Sequence, residues 1–83
     1  MIAAAQLRAA RALLGWSQGR LAEAAGLSLP TIKRMEGEKG PGRSAAENVA
    51  AVQRTIEAAG VEFTPDGGVR PTAGGGERGE GRR

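Results

Sequence analysis

Seven cationic side chains, Arg8, Arg11, Arg20, Lys33, Arg34, Lys39 and Arg43, fall within the first 45 residues against three acids, Glu23, Glu36 and Glu38. The chemistry this surplus of +4 offers is attraction of a polyanion. Residues 46–66 reverse the sign, with Arg54 set against Glu47, Glu57, Glu62 and Asp66. Catalytic chemistry has no comparable footing. The chain contains neither histidine nor cysteine, which removes zinc sites of the usual ligand types, disulfides, and Ser-His or Cys-His nucleophilic pairs together. The carboxylates gather in no recognisable site, so the expectation is a protein that is not an enzyme and holds no metal or cofactor.

The elements that must position these cations are helical. A chain of 83 residues makes one small domain, which buries only about 60% of the surface its unfolded form exposes. With one Trp, one Phe and no Tyr, its core is expected to be built from Ala, Leu, Val and Ile. From Ile2 to Leu14 the apolar stripe Leu7, Ala10, Leu14 runs at helical spacing and Gly15 stops it. Ser17 is placed to cap a second helix, Gln18 to Ala25, without a reciprocal acid three residues on. Trp16 between the two helices reads as the seal of their junction.

The stretch LAEAAGLSLPTIKRMEG carries two helix breakers, and each has its own job. Gly26 suits the left-handed residue that ends a helix, while Ser28 caps the next one and Pro30 falls in its first turn, where a missing N–H costs nothing. This third helix is expected over 28–36, with Ile32 and Met35 inward and Lys33 and Arg34 outward. After the loop GEKGPGR, Ser44 and Glu47 form the Ser-x-x-Glu pattern of a fourth helix in which Val49, Val52, Ile56 and Ala59 recur, and Gly60 ends it. Then Val61 and Phe63 alternate around Glu62, and Pro-Asp-Gly-Gly allows Val69-Arg70 to return. The result is a marginal hairpin or a single strand that pairs with another chain, since two such strands are not stable alone. Pro71 is expected to cut the return strand short. Residues 71–83 are rich in Gly and charge and read as a disordered tail whose arginines, Arg78, Arg82 and Arg83, serve solubility.

Two short helices joined by a tight Gly-containing turn are the physical description of a helix-turn-helix. Over Gln6 to Ala59 the chain resembles the phage repressor and Cro type of helix-turn-helix domain, the xenobiotic-response-element family. The resemblance rests on LRAARALLGWSQ, LAEAAGLS, TIKRMEG and a fourth helix after a short loop. The ending AAGVEF with GGVR is also similar to a class of small bacterial transcriptional regulators within it. The resemblance implies an all-α, lambda-repressor-like domain of four to five helices over 1–60. The short strand or hairpin at 61–70 would be a dimerisation element and the tail would follow at 71–83.

Residue by residue, the resemblance implies that the helix beginning at Ser28 enters the major groove while the preceding helix crosses the backbone. Gln18 matches the position that meets a phosphate. Ser28, Leu29, Pro30 and Thr31 match the groove-facing start, and Lys33 and Arg34 the exposed face one turn on. Arg43 and Ser44 match the loop and fourth-helix start that touch the phosphate backbone. Leu29 and Pro30 stand where the family often has side chains that hydrogen-bond bases; these two are limited to a thymine methyl or to shaping the approach. Glu36 reads as structural, closing this helix or pairing with a nearby arginine.

The function so implied is sequence-specific binding of double-stranded DNA by a transcriptional regulator of repressor type. It would act as a cytoplasmic homodimer with Ile56, Val61 and Phe63 at the dimer contact. The location follows from the lack of a signal-peptide pattern and of a run approaching the roughly 20 apolar residues of a membrane span. The competing reading keeps the fold but makes it an antitoxin-like interaction module, whose Val61 to Phe63 edge and tail bind a toxin or the transcription machinery.

Overall fold

Two glycine turns and two serine caps along the chain set the positions of the first three helices. The computed structural model describes residues 2–72 and, among them, every side chain but that of Arg43. Helix α1 spans Ala4–Leu14, α2 Gln18–Ala25, α3 Leu29–Met35 and α4 Ala46–Ala58, with a 3₁₀ turn at Pro41–Arg43 and strands β1, Val61–Phe63, and β2, Val69–Pro71. α1 starts two residues later than the apolar pattern suggested. Ala3 is extended and its N–H donates to Gln6 Oε1 at 2.8 Å, which frees Ile2 to bury its side chain in the core.

Both α1 and α2 end in the same way. Gly15 and Gly26 adopt φ of 69° and 72°, and the residue after each returns its N–H to a carbonyl five positions back, Trp16 to Arg11 at 3.0 Å and Leu27 to Ala22 at 2.9 Å. This paired arrangement satisfies the last orphan carbonyls and reverses the chain within one residue. A Cβ at Gly26 would meet nothing within 4 Å, so the only penalty for a side chain there is the left-handed backbone itself. Gly26→Ala is accordingly expected to cost about 1–2 kcal/mol, readable as a lowered thermal midpoint. An unchanged midpoint would show that the turn tolerates an L side chain.

Ser17 and Ser28 cap α2 and α3 as their positions suggested, accepting from the N–H groups of Arg20 at 3.0 Å and Thr31 at 3.2 Å. The core joins Leu7 and Ala10 of α1, Leu21 and Ala22 of α2, Ile32 and Met35 of α3, and Val49, Val52 and Ile56 of α4, closed by Ile2 and Val61. None of these is aromatic. Trp16 and Phe63 pack on the margin of the cluster, half-buried, and alanines let α2 approach its neighbours closely.

Two local readings are corrected. Ser44 does not cap α4: the helix begins at Ala46 behind an extended Ala45 that has no capping side chain. Pro41 opens a 3₁₀ turn that consumes the residues up to Arg43, Ser44 closes it by donating its N–H to Pro41 O at 2.9 Å, and Glu47 lands in the first turn of α4. Pro71 does not cut the return strand short of itself. It is the last residue of β2, paired with Val61 in an antiparallel register that also sets Glu62 against Arg70 and Phe63 against Val69. The flanking bonds Thr64 N–H to Gly68 O and Thr72 N–H to Gly60 O, both 2.9 Å, fix the alternation, so residues 61, 63, 69 and 71 turn their backbone groups out of the hairpin. Pro71 therefore lacks an N–H that the hairpin never used. The remainder of the tail, including Arg78, Arg82 and Arg83, lies outside the described residues.

The hairpin packs against α1 and α4. Glu62 and Arg70 pair across it at 3.0 Å, and Gln6, buried on α1, donates its amide to Gly68 O at 2.9 Å and Thr64 O at 3.4 Å. In the turn, the Thr64 hydroxyl and then the Gly68 N–H donate to the Asp66 carboxylate and hold its pKa below the ordinary carboxylate value. β1 is therefore paired on one edge only, by β2. Val61, at its start, is buried in the core and only 2% exposed, where β1 packs on α4 and α1.

Candidate nucleic-acid interface

The inward side of α3 is fixed by Ile32 and Met35, both fully buried, so the helix can present only its other side. That side carries Lys33 and Arg34, both exposed and without an ion-pair partner among the described residues. They stand on the last turn of the helix, where the peptide dipoles also favour positive charge.

At the start of α3 the hydroxyls are partly committed to the cap. Ser28 Oγ accepts from Thr31 N–H and shares a 2.8 Å hydrogen bond with Thr31 Oγ1. Leu29 and Pro30 between them are exposed. Leu29 is 38% exposed and, with Leu13, makes up the exposed large hydrophobics of the described residues.

Behind this surface stands Glu36, the residue that closes α3. Its side chain is 2% exposed and forms a two-point pair with Arg11 of α1, Nε to Oε2 at 2.7 Å and Nη2 to Oε1 at 2.8 Å. Arg11 also donates to Trp16 O at 3.0 Å, and Arg8 donates to the backbone carbonyl of Glu36 at 2.7 Å. The hydrogen bond from Arg11 to Glu36 raises the Arg11 pKa above the ordinary guanidinium value, against an opposing desolvation. Gln18, the first residue of α2, donates its amide to Glu36 Oε1 at 3.2 Å. One carboxylate thereby ties the start of α2 to the end of α3. The sequence suggested an arginine partner for Glu36 but not which one, since Arg11 lies 25 positions away.

Gln18 keeps its amide oxygen, and its N–H at the start of α2 has no intrahelical acceptor. Arg20, counted among the cations but not singled out, has its guanidinium 5.1 Å from the centre of the Trp16 ring and lies 3.9 Å from Glu23. The turn Pro41–Arg43 packs against α3 and brings the backbone of Arg43 there; the Arg43 side chain lies outside the described set. Ser44 departs from expectation: its Oγ is shielded from solvent and has no partner among the described residues, so the hydroxyl is not offered to a phosphate. The apolar residues expected at a dimer contact also need correction, because Ile56 and Val61 are core residues of the monomer. Of the three, Phe63 alone keeps appreciable surface.

Two short helices joined at a left-handed glycine, the second capped by serine and carrying an outward cationic face, define a helix-turn-helix DNA-binding domain. The sequence model described as helix-turn-helix matches residues 7–51, more than half of the 83 residues. The chain belongs to the helix-turn-helix family of the phage repressor and Cro type. That family consists of non-enzymatic DNA-binding domains, and membership implies DNA binding in the service of transcriptional regulation. No curated protein and no solved structure matches the chain. Among the described residues no helix is long and apolar enough to cross a membrane.

Proposed function

We propose that the protein is a homodimeric, sequence-specific repressor that sets α3 in the major groove and the start of α2 over the adjoining phosphates. The observation that carries this reading is the pairing of a rigidly anchored α3 with two unneutralised cations, Lys33 and Arg34, on its free side. Gln18 serves as the phosphate contact, oriented by Glu36, and Arg43 extends the same contact from the neighbouring turn. Repression follows from occupancy of the operator, which denies the site to other proteins.

Dimerisation is part of the proposal on energetic grounds. An α3 of seven residues is only about 10 Å long and one domain neutralises few phosphates, so useful affinity requires two copies on half-sites about 34–36 Å apart. Phe63, at the margin of the hairpin, is the apolar residue best placed to contribute to the contact between copies.

Selection of bound duplexes from a random pool, followed by titration at several salt concentrations, tests this reading. The expected outcome is a pseudo-palindrome with half-site centres about 10–10.5 base pairs apart, bound with an affinity that falls steeply as salt rises. Absence of binding at both low and physiological salt would overturn it.

A further inference from the structure

The reading end of α3 has few groups left with which to hydrogen-bond. Thr31 N–H is taken by Ser28 Oγ, the hydroxyls of Ser28 and Thr31 share one hydrogen bond that leaves a single hydroxyl proton between them, and Pro30 has no N–H. Of the first three residues of α3, only Leu29 retains a free backbone donor. What this end does present is hydrocarbon. Leu29 is not needed for the cap, which Ser28 provides, nor for the core, which Ile32 and Met35 fill, yet it stands 38% exposed at the first helical position with exposed Pro30 beside it. One turn further on, Lys33 and Arg34 supply charge complementary to a polyanion.

Within a polyanion the natural complement of an isolated apolar side chain is the one apolar group in the major groove, the 5-methyl of thymine. We infer that Leu29, with Pro30 alongside, reads the 5-methyl group of a thymine in each half-site. The operator is thus recognised at this point by methyl contact in place of a hydrogen bond. This rests on the reading of α3 as the groove-entering helix. It adds a chemical class of determinant, since 5-methylcytosine offers the same group and unmethylated cytosine or uracil does not.

The test needs no change to the protein at first. In a duplex obtained by selection, each thymine of the half-site is replaced in turn by deoxyuridine, which removes the methyl and leaves every hydrogen-bonding group in place. At one position per half-site the dissociation constant is expected to rise about fourfold, the fold-change that matches burial of one methyl-sized group. Leu29→Ala should bind the thymine and uracil duplexes equally, while its unchanged circular dichroism melt shows an intact fold. Three results would overturn the inference: selected sites with no recurring thymine, equal binding of every uracil-substituted duplex, or a Leu29→Ala variant that still discriminates. A chain that bound no duplex at all would instead overturn the repressor reading and this inference with it.

Discussion

Replacing Glu36 with alanine is expected to lower the unfolding free energy by about 3–5 kcal/mol, the cost of removing one member of a buried, hydrogen-bonded ion pair. For a domain of this size that corresponds to a fall in melting temperature of at least about 12 °C. The magnitude comes from what is left behind. Arg11, whose side chain is 20% exposed, loses both of its contacts to the carboxylate, and Gln18 loses the acceptor for its amide. Thermal melts of the wild-type protein and of Glu36→Ala decide the matter. A shift below about 4 °C, equivalent to roughly 1 kcal/mol or less, would mean that solvent already compensates the pair.

Stability and positioning can be separated by removing both charges. The double variant Arg11→Leu, Glu36→Leu leaves no buried unpaired ion, and such apolar replacements are often neutral or stabilising. It should melt well above the single Glu36→Ala variant. Its DNA affinity should nonetheless stay below that of the wild-type protein, because Gln18 has lost the group that orients it. A double variant that regained full affinity would show that Gln18 needs no such support.

How legible these features were in the sequence follows the distance over which each is determined. Ser17, Gly26 and Ser28 act on N–H and carbonyl groups within about five residues, so their types and spacing suffice to place α2 and α3. The start of α4 depends instead on a 3₁₀ turn at Pro41 packed against α3, and this made Ser44 a false cap. Pro71 looked like a strand breaker because its tolerance depends on register, which places it opposite Val61 on the outward-facing positions. Ile56 and Val61 show why an apolar period does not tell core from interface: either surface would exclude water, and only the packing of α4 and the hairpin on α1 and α2 assigns them to the core. The cations on α3 were legible because Ile32 and Met35 leave them a single side. The arginine clamp on Glu36 was not, since Arg8 and Arg11 carry no local mark that distinguishes them from solvated residues.

Those α3 cations set the largest expected effect on binding. Arg34→Ala should remove about 1–3 kcal/mol per half-site if the guanidinium makes a two-point contact with guanine. Two half-sites in a homodimer make this a loss of at least about 30-fold, from roughly 2 kcal/mol in total. The loss should be confined to sites that carry guanine at the contacted position. Lys33→Ala should weaken all sequences about equally and reduce the salt dependence by about one phosphate per copy, because an ammonium acts as a point charge without the planar fork that selects a base edge. Neither change touches the core side of α3, so melting should move by no more than about 0.5 kcal/mol. Affinities measured on matched and guanine-substituted duplexes at two salt concentrations distinguish the two roles. Should Arg34→Ala weaken every sequence alike, Arg34 would be a second phosphate contact, and the discrimination left to α3 would fall to Leu29.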